Sequence, residues 1–124
     1  MHYASPKHER LYRSITRGRG YPAHTLAALF LLTARRKLWK NWCSGAVSNA
    51  GIDWSAGRGA DAGWDAYYLE RAARSIAGEK KLVTLNDLLD RKDYPTELIL
   101  LILTALLLAR GESEPKYKQR SRLC

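Results

Sequence analysis

Pro95-Thr96-Glu97-Leu98-Ile99-Leu100-Leu101-Ile102-Leu103-Thr104-Ala105-Leu106-Leu107-Leu108-Ala109-Arg110-Gly111 is the stretch whose reading decides the fold. Proline opens it, Glu97 lies in its first turn, and Arg110 and Gly111 close it. That asymmetry marks both ends of a helix. Its interior is apolar on every side, the pattern of a helix that neighbours surround. From Leu98 to Ala109 there are 12 residues, roughly 18 Å at about 1.5 Å per residue. A bilayer core of about 30 Å needs roughly 20 apolar residues. The expectation is a buried central helix, with no membrane span.

The rest of the chain must supply the coat of that helix. At 124 residues with 46% hydrophobic content, the chain has the size of one domain with one core. Residues 22–41 give a second helix. Stepping about 100° per residue puts Ala27, Leu31, Ala34, Leu38 and Trp42 on one side and Arg36 and Lys40 opposite. A third helix runs from Asp61 or Ala62 to about Ala77, with Asp61 as candidate N-cap. Its apolar stripe is Trp64, Tyr68, Leu69, Ala72, Ala73 and Ile76, and Glu70 and Arg74 are spaced i, i+4 on the exposed side. Gly78 stops it. Thr84 and Asp87 have the spacing of a capping box on a short helix. Ser5-Pro6 opens a short N-terminal helix, and Arg17-Gly18-Arg19-Gly20 reads as a flexible basic linker. Residues 44–60 are rich in Gly, Ser and Asn and read as a loop, pinned by Val47, Ile52 and Trp54. No alternating run is long enough for a sheet; at most Lys81-Leu82-Val83-Thr84 is one short strand. The fold expected is an all-α domain of four to five helices around a buried central C-terminal helix, with basic flexible ends. Residues 1–20 form a basic lead, 21–111 the helical core, and 112–124 a basic mobile tail.

Charge is distributed unevenly. Residues 1–50 carry nine Lys/Arg against Glu9 alone, a balance of +8; residues 51–114 carry eight against eleven acids, or −3; residues 115–124 add +4, for +9 in all. Basic ends of this kind attract nucleic acid, an acidic protein face or an anionic surface. Two cysteines, Cys43 and Cys124, make no disulfide framework. The first 20 residues hold no apolar signal segment, so the expected location is the cytoplasm.

Catalytic and metal patterns are weak. Cys43 has no base beside it in a recognisable signature and reads as a small buried hydrophobe. His2 and His8 fall in a mobile lead, and neither His nor Cys has ligand spacing, so no cofactor is expected. Asp53, Asp61 and Asp65 border one Gly-rich loop, and paired carboxylates can work as acid and base. On that basis a small hydrolase or transferase using residues 53–65 is the third reading. Capping accounts for Asp61 and Asp65 better. Gly57-Arg58-Gly59-Ala60-Asp61 lacks the Lys-Ser/Thr of a phosphate loop, although a helix start with Arg58 nearby can hold an anion.

The cluster Arg35-Arg36-Lys37-Leu38-Trp39-Lys40-Asn41-Trp42 carries the most chemistry. Trp39 with Arg36 and Lys40 can stack on bases and neutralise phosphates. The same residues also fit a solvated amphipathic helix whose long stems cover apolar surface. The candidate binding set is Arg13, Arg17, Arg19, Arg35, Arg36, Trp39, Lys40 and Arg58, with Lys116, Lys118, Arg120 and Arg122 in the tail.

From residue 26 to 110 the order of elements resembles a family of small uncharacterised helical proteins of Gram-positive phages and mobile elements. The resemblance lies in Thr25-Leu26-Ala27-Ala28-Leu29-Phe30-Leu31-Leu32, a variable loop, Tyr67-Tyr68-Leu69-Glu70-Arg71-Ala72-Ala73, then Thr84-Leu85-Asn86-Asp87-Leu88-Leu89 and the closing apolar helix. It implies a setting and brings no catalytic motif. Together these readings favour a non-enzymatic accessory protein that engages a nucleic acid or nucleoprotein complex, such as an inhibitor of a host defence system of the anti-CRISPR kind, in the host cytoplasm if phage-encoded. The alternative is a module that associates with itself through excess leucine surface.

Overall fold

A computed structural model describes residues 1–43, 45–56 and 63–112. Six helices occur among them: α1 (Pro6–Thr16), α2 (Ala23–Leu32), α3 (Arg36–Trp42), α4 (Trp64–Ile76), α5 (Leu85–Leu88) and α6 (Thr96–Ala109). A small antiparallel hairpin, β1 (Val47–Ser48) and β2 (Gly51–Ile52), lies between α3 and α4. The mainly helical class holds; the helix count is higher than expected, and the hairpin was not expected at all. None of the described helices is long and apolar enough to cross a membrane.

The helix at the centre is α2. Ala27, Ala28, Leu29, Phe30, Leu31 and Leu32 are all fully buried, with α6 and α4 as the main neighbours and α1 and α3 alongside. Two alanines let neighbouring backbones approach closely, which suits the enclosed second half of the helix, while His24 in its first turn stays exposed. The closing helix α6 is one-sided instead. It buries Leu98, Leu101, Ile102, Thr104, Ala105 and Leu108. Leu100, Leu103 and Leu106 stay 41%, 49% and 39% exposed. The expectation of a buried central C-terminal helix is therefore corrected: both apolar helices are greasy all round, and a domain this small can enclose only one.

The helix expected over residues 22–41 breaks at Thr33–Arg35. The Thr33 hydroxyl donates back to the Leu29 carbonyl at 2.7 Å, with Phe30 O at 3.2 Å. Such local bonding competes with continuation of the helix. Arg35 is extended (φ −130°, ψ 129°) and precedes α3. Ala34, Leu38 and Trp42 are buried all the same, so the inward face was read correctly across a break that was not.

Helix α4 starts at Trp64, with Gly63 before it; Asp61 lies outside the described residues. Its buried side is Ala66, Leu69, Ala72 and Ala73, while Trp64 is 78% exposed and leaves the expected stripe. Glu70 and Arg74 are not on an open face, their side chains being only 16% and 17% exposed. Trp42 Nε1 donates to Glu70 Oε1 at 3.0 Å. The Arg74 guanidinium lies 5.3 Å from both the Trp42 and Trp54 ring centres and donates to Trp54 O at 3.2 Å. The hairpin carries Trp54 onto Trp42, ring centres 5.1 Å apart, and so roofs the pair over.

Caps follow the sequence closely. Thr84 and Asp87 form a reciprocal capping box on α5. At the end of α6, Gly111 (φ +85°) donates to Leu108 O and Glu112 to Leu107 O, the paired bonds of a left-handed helix stop. The short strand expected over residues 81–84 does not form; the Leu82 and Val83 amides both donate to Ser75 Oγ.

Candidate functional site

Helix α1 is part of the core, contrary to the mobile lead expected around His8. Ser5 caps it, its hydroxyl accepting from the His8 amide at 3.1 Å. His8 is buried, its ring 4.7 Å from that of Phe30 and 5.3 Å from that of Tyr3. The Ala4 amide donates to His8 Nδ1 at 2.9 Å, so Nδ1 accepts and Nε2–H donates to Phe30 O at 2.7 Å. That carbonyl is in the last turn of α2, where a helix leaves acceptors without amide partners. Here the Ala34 amide turns to Leu31 O. The imidazole bonds at the Phe30 carbonyl, beside the Thr33 hydroxyl, and ties α1 to the end of α2. Burial pushes the imidazole down to about 4; the Phe30 carbonyl opposes this, and the charges of Arg35 and His2 add to it.

Docking of α1 at the α2–α3 junction creates an open cleft of about 500 Å³. Lys7 comes from α1, and Arg36, Trp39 and Lys40 come from α3. Leu11 and Ala34 extend the apolar wall, and no carboxylate lines the space. Lys7, Arg36 and Lys40 are exposed and Trp39 is half-buried. Arg36 and Lys40, four residues apart, share a helix face, and Lys7 lies on the other bank.

Of the residues picked from the sequence, Arg36, Trp39 and Lys40 come together here, and Arg13, Arg17, Arg19 and Arg35 do not join them. Arg35 turns to Asp65 at 2.6 Å and Glu97 at 3.4 Å. Arg13 pairs with Glu9 at 3.0 Å and lies 5.9 Å from the Tyr3 ring centre. Arg19 donates to Asn49 Oδ1 at 2.7 Å, tying the expected flexible linker to the hairpin turn. Arg17 is the exposed C-cap of α1. Arg58, Lys116, Lys118, Arg120, Arg122 and Cys124 lie outside the described residues. Lys7 was not in the set. The Ser5-Pro6 entry gave its helix, but nothing in the sequence tells where that helix docks.

The carboxylates of the third reading are held separately. Asp53 Oδ1 accepts from the Ser55 amide and hydroxyl, which keep its carboxyl below the ordinary range. Asp65 is taken by Arg35 and by the Ala66 amide. Cys43 is exposed rather than buried. It caps α3, where Trp42 takes the inward position. Among the described residues no three His, Cys, Asp or Glu cluster as metal ligands do.

Two other clefts are less suited to an anion. One of about 620 Å³ has Asp65 and Asp93 beside Lys92. Another, of about 370 Å³, is lined by Asp87, Asp90 and Asp93 and already holds a cation, Arg71. Arg71 donates to Leu82 O at 2.8 Å and lies 5.4 Å from the Tyr67 ring centre. No protein-family model, curated protein or solved structure matches the chain.

Proposed function

We propose that this chain is a non-enzymatic accessory protein that engages a nucleic acid or nucleoprotein complex through the cleft between α1 and α3. The observation that supports this is the convergence of Lys7, Arg36 and Lys40 around a half-buried Trp39 with no carboxylate in the lining. None of the three cations is in an ion pair among the described residues. Their charge is thus available to phosphates. A nucleic acid can use both parts of the cleft, its phosphates on the cations and a base on the indole. The setting we propose, a phage or mobile element whose protein inhibits a host defence complex, rests on the resemblance of residues 26–110 alone.

The test is titration into a labelled oligonucleotide at two salt concentrations. Three phosphate contacts on a single strand give a log–log slope of about −2, or about 20-fold weaker binding at 200 mM than at 50 mM salt. Combining Arg36→Glu with Lys40→Glu should abolish binding. Salt-independent affinity, or a double variant that binds as before, overturns the proposal.

Self-association is a second reading, favoured by the exposed Leu100, Leu103 and Leu106 of α6. Ile99, on the same helix, lines a shallow cleft with Leu88 of α5 and Leu89 just after it. Contiguous exposed patches of this kind mark interaction surfaces. Glu97 and Arg110 bracket the stripe, so two antiparallel α6 helices bring opposite charges to each end. Sedimentation should then show a concentration-dependent dimer that Leu103→Glu dissociates; a strict monomer at high concentration rules the reading out.

A further inference from the structure

The cleft between α1 and α3 carries its charge at the rim and is mostly apolar inside, with Leu11, Ala34 and Trp39 in its wall. A surface built only to neutralise phosphates has no use for an apolar depression of about 500 Å³, a size in the range of small-ligand pockets. In a duplex the bases are paired and stacked inside, and only phosphates and groove edges reach a protein. Such a ligand would cover the cleft and leave the indole face empty. A single strand can turn a base outward, place it on an aromatic ring and keep its phosphates on flanking cations.

We infer that the cleft is a single-strand site, in which one unstacked base packs on Trp39 while the neighbouring phosphates meet Lys7 on one bank and Arg36 and Lys40 on the other. This rests on the nucleic-acid reading of the same cleft and adds the kind of nucleic acid. The polar groups in the lining also settle the kind of recognition. The Thr33 hydroxyl donates to Leu29 O. Ser5 Oγ caps α1. Both nitrogens of His8 are engaged, one by the Ala4 amide and one by Phe30 O. Thr33 and His8 are thus taken up within the fold and the cations face the phosphates, whereas every base offers a flat face to an indole. The site selects for strandedness and tolerates any sequence.

Fluorescence anisotropy tests this with labelled dA12, dT12 and the dA12·dT12 duplex at fixed salt. Wild type should bind both single strands with similar affinity, and each at least about tenfold more tightly than the duplex, a difference within the worth of one stacked base. The decisive variant is Trp39→Lys. It adds a positive charge at a half-exposed helical position and removes the ring. If only charge matters, affinity rises. If a base stacks there, single-strand affinity falls by about 5- to 150-fold, the range of aromatic-to-alanine losses. Trp39→Phe should restore most of it, and circular dichroism reports whether each variant is folded. The strand comparison needs no variant, so a misfolded Trp39→Lys does not shelter the inference. Equal affinity for duplex and single strands, or Trp39→Lys binding more tightly, overturns it; if Arg36→Glu with Lys40→Glu still abolishes binding, the broader reading survives. No binding to any of the three ligands removes both.

Discussion

Acidification from pH 7.5 to 5 should weaken the fold through one residue, His8. In the folded chain its ring is neutral, because protonation at Nδ1 would set a new N–H against the Ala4 amide that already donates there. Its pKa is about 4, against 6.5 for the free group. Between these values the unfolded chain binds a proton that the folded chain does not, so stability falls as pH falls through the window and levels off below pH 4. At about 1.4 kcal/mol per pKa unit the loss is complete at about 3 kcal/mol, and about 2 kcal/mol of it is reached at pH 5. Carboxylates elsewhere also respond to acid, so the assay must subtract them. Urea unfolding of wild type and of His8→Gln, followed by circular dichroism at pH 7.5, 6.5, 5.5 and 5, does so. Gln retains an N–H donor for Phe30 O and does not titrate. The stability advantage of wild type over His8→Gln should shrink by about 2 kcal/mol across that range. An advantage that stays constant with pH, or a His8 ring that titrates near 6.5 by NMR in the folded protein, would refute the buried neutral latch.

Two further outcomes follow from particular contacts. Trp42→Phe removes the N–H that donates to Glu70 and empties part of a fully buried indole site; the carboxylate short of a donor alone should cost about 1–3 kcal/mol in urea unfolding and the space left adds to it, so a loss below about 0.5 kcal/mol would show that Arg74 alone satisfies Glu70. Gly78→Ala places a side chain on a backbone at φ +80° with nothing within 4 Å of the new Cβ, so the penalty is conformational alone, about 1–2 kcal/mol, and a thermal scan that shows no fall in melting temperature contradicts it.

What was legible in the sequence is what local rules control. The caps at Ser5, Thr84 and Gly111 were readable because each uses groups within three or four residues of itself. The inward face of α2 and α3 was readable from periodicity. The failures all depend on distant neighbours. Nothing local distinguishes the enclosed Ala27–Leu32 half of α2 from the half-covered α6, since both are apolar all round and only competition for limited interior decides. Glu70 and Arg74 have the spacing of a surface pair, and it takes Trp54, delivered by a hairpin too short to leave a sequence pattern, to cover them. Cys43 was placed inward by composition, but Trp42 beside it is larger and takes that position.

The candidate site was half legible for the same reason, and its missing half explains how it comes to exist. Arg36, Trp39 and Lys40 lie within one turn of each other, so one bank could be read directly. The other bank is Lys7, which α1 brings to the break in the helix. Thr33 turns its hydroxyl back onto Leu29 O, Ala34 bonds Leu31 O, and Phe30 O is left as an acceptor for His8. Had residues 22–41 stayed one helix, the Ala34 amide would bond Phe30 O, and the imidazole would share that acceptor with a backbone donor. The bond from His8 works with Tyr12 and Tyr3, both packed on Phe30, to hold α1 and so Lys7 opposite Arg36 and Lys40. His8 thus links the acid sensitivity of the fold to the docking of the helix that brings Lys7 to the cleft.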